Sequence, residues 1–235
     1  MKTKIFGLIF LFIFVSCGNN EPGVQTTEIR EVDAGFDSVE SSGAYDVMIE
    51  EGVSDGKIKL EGDSNVLKKI KISSKGNTLR ISQKSGFYKS NGKSVKISFK
   101  AQNLNGLVLT GSGSITADGI QRVNDFKTVL DGSGDINVSI ASKTAEIQLN
   151  GSGDIYVSGT TDKLNAGVAG SGDLHAYQLK ANDVNAGMSG SGNLEVHSDQ
   201  KLNAGVSGSG KLYYKGNPSD TDLKTVGSGD VVKAD

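Results

Sequence analysis

Seven Gly-Ser-Gly triplets govern this sequence. They start at Gly111, Gly132, Gly151, Gly170, Gly190, Gly208 and Gly227. Their near-constant period of ~19 residues marks a chain built from stacked units. The flanks keep the register. Four positions after each first Gly come Ile115, Ile136, Ile155, Leu174, Leu194, Leu212 and Val231. Two positions before it come Leu109, Leu130, Leu149, Val168, Met188, Val206 and Thr225. Counted in steps of two, apolar or small residues sit from −4 to +6 with polar residues mostly between, which is strand periodicity. The inward set includes both Gly of each triplet, and the Ser between them faces out.

A unit of this length cannot bury its own apolar row. Stacking units in parallel at ~4.8 Å sets Ile on Ile and Leu on Leu in columns. The triplet is then the place where the wall bends, or runs too close to its neighbour for a Cβ. The pattern predicts an all-β parallel β-helix, or β-solenoid, with turns of ~19 residues. Of the 32 Gly in 235 residues, 14 lie in the triplets, so the glycine excess is periodic architecture and not linker. A period of two argues against a helical repeat. A sandwich or propeller would need hairpin punctuation.

The preceding segment reads as a degenerate version of the same unit. Ser41-Ser42-Gly43-Ala44-Tyr45-Asp46-Val47 matches Gly-Ser-Gly-Asp-Ile-x-Val with Ser for the first Gly. Strand candidates follow at Lys57–Glu61, Lys69–Ser73, Thr78–Gln83, Val95–Lys100 and Gly106–Thr110, enough for three to four less regular turns. One domain is expected over 28–235, irregular over 28–106 and regular over 107–235. The insertion Lys84 to Ser94 carries Phe87 and Tyr88, either loop anchors or an exposed contact.

The N-terminus reads as an address. Lys2 and Lys4 precede an apolar run from Ile5 to Val15. That is short of the ~20 residues of a membrane span and fits a secretory signal over 1–16. Phe14-Val15-Ser16-Cys17 resembles a bacterial lipobox, so Cys17 is expected to carry acyl chains such as palmitate and to anchor the chain by lipid. Residues 17–27 form a polar tether. The expected address is the bacterial outer membrane, facing either the periplasm or the outside. Cys17 is the only Cys, so no disulfide forms within one chain.

Composition thins the functional classes. The net charge is −2, which excludes a strongly basic nucleic-acid binder. There is no Trp and there are two His, His175 and His197, in different columns without metal-ligand spacing. No phosphate loop follows any triplet. No cofactor is expected. Two outward columns hold candidate chemistry. Three positions after each first Gly come Ser114, Asp135, Asp154, Asp173, Asn193, Lys211 and Asp230. Stacked Asp135, Asp154 and Asp173 suit Ca²⁺, or an acid and base for glycoside cleavage on Asp154 and Asp173. The plainer reading is a solvated turn face, and it carries more weight. Five positions after each first Gly come Thr116, Asn137, Tyr156, His175, Glu195, Tyr213 and Val232. Tyr156 and Tyr213 with His175 between them suit a sugar, though Tyr is also ordinary strand decoration. Asn165, Asn185 and Asn203 recur as an Asn ladder, inside or at a corner, that satisfies turn backbone.

Several segments together resemble the auto-transporter adhesin head GIN domain family. They are Phe36-Asp37-Ser38-Val39, Gly43-Ala44-Tyr45-Asp46-Val47, Glu61-Gly62-Asp63-Ser64-Asn65-Val66-Leu67 and Leu107-Val108-Leu109-Thr110-Gly111-Ser112-Gly113. Gly134-Asp135-Ile136-Asn137 resembles the family's Gly-Ile-Asn signature with an inserted Asp. The likeness spans about Phe36 to Gly229. It implies a right-handed single-stranded β-helix, frequently on a lipoprotein. The expected function is a lipid-anchored adhesin or surface-binding module without catalytic activity. Its partners are the membrane through the lipid, and a glycan or protein ligand, with self-association open. The alternatives are a periplasm-facing scaffold and, behind it, a carbohydrate-active enzyme on the Asp ladder.

Overall fold

The structure, a computed structural model, describes residues 23–84 and 94–234. Cys17, Phe87 and Tyr88 lie outside the described residues. The chain is nearly all strand. In order it forms β1 (Gln25–Glu31), β2 (Ser38–Gly43), β3 (Tyr45–Glu51), β4 (Lys57–Asp63), the single turn of helix α1 (Ser64–Leu67), β5 (Ile70–Lys75), β6 (Thr78–Gln83) and β7 (Val95–Ala101). The triplet region follows with β8 (Gly106–Gly111), β9 (Ser114–Arg122), β10 (Asp125–Gly132), β11 (Asp135–Gly151), β12 (Asp154–Gly170), β13 (Asp173–Gly190), β14 (Asn193–Gly208), β15 (Lys211–Lys215), β16 (Asp220–Gly227) and β17 (Asp230–Lys233).

From β8 onward the strands stack in parallel as a β-solenoid of ~19-residue coils, as the period requires. The columns align residue on residue. Gly111 pairs with Gly132, then Gly151, Gly170, Gly190, Gly208 and Gly227 in turn. β11 runs unbroken from one triplet to the next, so the triplet is one corner. The second bend lies near Ser142–Thr144, where Lys143 drops out of the ladder. Buried hydroxyls serve that second corner. Thr161 Oγ1 donates to the Lys163 carbonyl (3.1 Å) and Ser198 Oγ to the Lys201 carbonyl (2.8 Å).

The core lies between the two walls. Ile136, Val138 and Ile140 face Ala145, Ile147 and Leu149 within one coil, all buried, and neighbouring coils repeat the set. The last coil departs from it. Thr221, Leu223 and Thr225 stand where the previous coil has Leu202, Ala204 and Val206, and all three are exposed. Threonine replaces an aliphatic in two of these three columns, while Leu223 stays apolar and 41% exposed.

The triplet glycines are required in two different ways. Gly151 has φ +132°, a conformation that side chains oppose, and a Cβ there would also overlap the Gly132 carbonyl. Gly153 has an ordinary φ, yet its Cβ would strike the carbonyl of Gly134 in the coil before. The Ser between them is exposed.

The N-terminal third differs from expectation in three ways. First, Gly43 pairs with Gly111 and has φ +143°, so the degenerate triplet is Gly43-Ala44-Tyr45, two positions later than the sequence match suggests. The period of two hides such a slip, because the facing pattern survives it. Second, the segment makes two coils, not three or four. β2 and β3 form one, and β6 and β7 form another on its outer side. The chain then returns so that β8 and β9 pair with β2 and β3. Third, the remaining strands are antiparallel: β1 on β4, β4 on β7, and β5 on β6. They cap the outer end. β1 begins at Gln25, inside the stretch expected to be tether. Arg30 locks it down, donating to the carbonyls of Ile70 (2.6 Å) and Leu67 (2.7 Å) and pairing with Glu28. The Arg30–Glu28 hydrogen bond holds the Glu28 carboxyl below its usual range.

Candidate functional site

The Asp column is real as a column. Asp46, Ser114, Asp135, Asp154, Asp173, Asn193 and Lys211 pair in register. Its carboxylates serve the corner. Asp154 Oδ1 accepts the main-chain N–H of Asp173 (3.2 Å), and Asp173 Oδ1 accepts the N–H of Asn193 (2.7 Å) and its amide Nδ2 (3.0 Å). These charge-assisted bonds tie the Asp154 coil to the Asp173 coil and the Asp173 coil to the Asn193 coil. Among the described residues no group of three or more His, Cys, Asp or Glu is placed to hold a metal ion. The Asn ladder lies elsewhere than expected. Asn165, Asn185 and Asn203 stand exposed on a wall, with Asn185 Nδ2 donating to Asn165 Oδ1 (3.1 Å).

The neighbouring column carries the aromatic site. Asn137, Tyr156, His175, Glu195 and Tyr213 pair in sequence across successive coils. Tyr156 is 43% exposed and its ring stacks on His175, with centroids 4.6 Å apart and planes 14° from parallel. His175 Nδ1 is 2.9 Å from Glu195 Oε2. His175 is thus held on one side by a ring and on the other by a carboxylate. Tyr213 does not sandwich it, because Glu195 stands between them. The structure therefore brings Tyr156 and His175 together and leaves Tyr213 as a flank.

Tyr177 completes the site, and the column pattern passes over it. The step from Gly170 to Gly190 is longer by one than the step from Gly151 to Gly170. The extra residue enters as a bulge: Tyr156 pairs with His175, but Ser158 pairs with Gln178. Bulges re-aim side chains, and this one turns Tyr177 beside the platform. The longer step was the only sequence signal. Burial, then the charge of Glu195, pushes the Tyr177 phenol up to about 12. It is a neutral hydroxyl at neutral pH. Lys215 Nζ lies 5.1 Å from its ring centroid, within cation–π range. The Tyr156 phenol is also raised, by burial and then by Asp154, Asp135 and Asp173. Together Asn137, Tyr156, Ser158, His175, Tyr177 and Gln178 border a shallow trough of about 260 Å³ on the open wall. It offers ring faces, an imidazole, two amides and hydroxyls.

Residues 35–218 match the profile of the family described as "Putative auto-transporter adhesin, head GIN domain". The chain belongs to this family. Solved structures share its fold. A "putative adhesin" from Bacteroides fragilis superposes with TM-score 0.82 at 24% identity, covering 90% of this chain and 97% of that one. A "putative lipid binding protein" from Parabacteroides distasonis gives 0.71 at 26% identity, with 93% and 98% covered. A further "putative adhesin" from Parabacteroides merdae gives 0.67 at 19%, again with 93% and 98% covered. No curated protein matches the chain. Among the described residues no helix is long and apolar enough to cross a membrane.

Proposed function

We propose that this chain is a lipid-anchored protein of the bacterial outer membrane that binds saccharide on its solenoid wall without chemically altering it. The observation that supports this most is the Tyr156–His175 stack, presented on an open wall beside the Tyr177 hydroxyl and the amides of Asn137 and Gln178. An aromatic body with polar tips suits a wet, ring-shaped ligand. The trough lies below the ~300–1,000 Å³ of drug-sized ligand sites and fits a single sugar ring. Cys17 supplies the anchor through its acyl chains. The module works by display, and weak contacts gain strength when many copies share one surface.

The test pairs address with binding. Protease treatment of intact cells should remove the chain. Protection until the outer membrane is broken would move it to the periplasm and leave a scaffold in its place. Wild-type protein should bind members of a glycan panel, and Tyr156→Ala should lose about tenfold in affinity, the loss expected for one stacking contact. Equal binding by the variant would sink the platform.

A further inference from the structure

The capped end of the solenoid carries a charge pattern that the walls lack. From Asn65 to Lys84 the sequence holds five Lys and one Arg and no acidic residue, in a chain of net charge −2. Lys68, Lys69, Lys71, Lys75 and Lys84 are all exposed. None has a carboxylate within ion-pair distance among the described residues, whereas Arg80 in the same stretch is paired with Glu40. The fold gathers them. Lys84 lies against the α1 exit, its N–H donating to the Lys69 carbonyl (2.7 Å) and its Nζ to the Lys68 carbonyl (3.3 Å). Lys71 and Lys75 project from the outer face of β5, which among the described residues pairs with β6 alone and so forms the rim. The acids nearby are already engaged. Glu28 is paired with Arg30, and Asp63 accepts the Asn65 N–H at the start of α1 (2.8 Å).

This rim is also where the chain leaves the solenoid toward Cys17. Ser64 N–H donates to the Val24 carbonyl (3.0 Å), pinning residue 24 beside α1. Six residue steps separate Cys17 from Gly23, a reach of at most ~20 Å. With Cys17 acylated, no other end of the molecule can come as close to the bilayer. An anionic lipid surface attracts basic residues within about a Debye length, ~10 Å at 0.1 M salt.

We propose that this lysine rim docks onto anionic lipid headgroups and stands the solenoid upright, with the triplet coils stacked away from the membrane. The proposal rests on the lipid anchor argued above, and the two are separable. The full acylated chain is reconstituted in excess vesicles, either pure phosphatidylcholine or with one third phosphatidylglycerol. Acetylation of each Lys is then followed by peptide mass spectrometry. Lys68, Lys69, Lys71, Lys75 and Lys84 should react about fivefold more slowly on anionic than on neutral vesicles, and ~0.5 M salt should erase the difference, while Lys163 and Lys211 are unchanged. Equal protection on both vesicle types would mean mere nearness to the tether and overturn docking by charge. No protection on either would overturn it outright. In the triple variant K68E/K69E/K71E, all at exposed positions, Lys75 and Lys84 should lose their protection. The intact mass of the mature chain reads the anchor independently. A bare Cys17 overturns the anchor, and the footprint on the same vesicles still decides the rim.

Discussion

The coils from Gly111 onward and the two coils before them enclose the same kind of core by opposite means. In the triplet region the Gly-Ser-Gly corner is shaped by backbone, so coils meet there through glycine carbonyls and glycine stacks on glycine. In the N-terminal coils the corner is Gly43-Ala44-Tyr45, and Tyr45 occupies the position that is glycine elsewhere. Space there is filled by side chains, including the edge-to-face pair Phe36 and Phe99, with centroids 5.8 Å apart. Repetition gives uniformity and removes tolerance. The irregular end gives up the all-glycine corner and gains the freedom to reverse direction and cap itself.

Substitutions at equivalent corners should break that contrast most sharply. Gly151→Ala places a methyl in the Gly132 carbonyl at positive φ, against backbone atoms of the coil before. It should cost roughly 3 kcal/mol or more, from strain and overpacking together. Gly43→Ala keeps the φ penalty but meets the Tyr45 ring at 2.6 Å, side-chain atoms in place of a fixed carbonyl. It should cost about 1–2 kcal/mol. Chemical denaturation of the two variants compares them directly, and equal losses would show the corners to be equivalent.

A smaller effect of opposite sign belongs to the irregular corner itself. Tyr45 is 4% exposed, and its hydroxyl has no hydrogen-bond partner among the described residues. Burial raises that phenol above its usual range. Tyr45→Phe should stabilise the fold by about 1 kcal/mol, since an orphaned buried hydroxyl is relieved. A loss of stability would mean that the hydroxyl is satisfied after all. The smallest effect sharpens the rule. Gly187 has an ordinary φ and open space where a Cβ would go. Gly187→Ala should change stability by only ~0.5 kcal/mol, and in the stabilising direction. A large loss would show that glycine on the open wall is also structural.

How much of this was legible in the sequence follows the same divide. Leu149, Gly151 and Ile155 stand where the period puts them, because each coil repeats the environment that selected them. Tyr45 was misplaced by two positions, since alternation reports which face a residue takes but not which coil it joins. The antiparallel pairings were invisible for two reasons. β1 meets β4 across a long stretch of chain, which leaves no periodic trace. The β5–β6 hairpin turns at Gly76-Asn77, a local signal that a pattern of parallel stacking passes over. At the site, alternation gave the Tyr156–His175–Glu195 column. It could not give Tyr177, which enters through a bulge and breaks the alternation that reveals its neighbours.

The ladder bonds that tie coil to coil run along the long axis of the solenoid. A pull between the N-terminal rim and the Tyr156–His175 coil therefore loads only the coils in between, and those beyond Glu195 carry no tension. The stressed coils would peel away in succession, each ~19-residue turn releasing roughly 60 Å of chain. The same register that makes the wall uniform makes it a stepwise shock absorber, with the N-terminal cap bearing the first load.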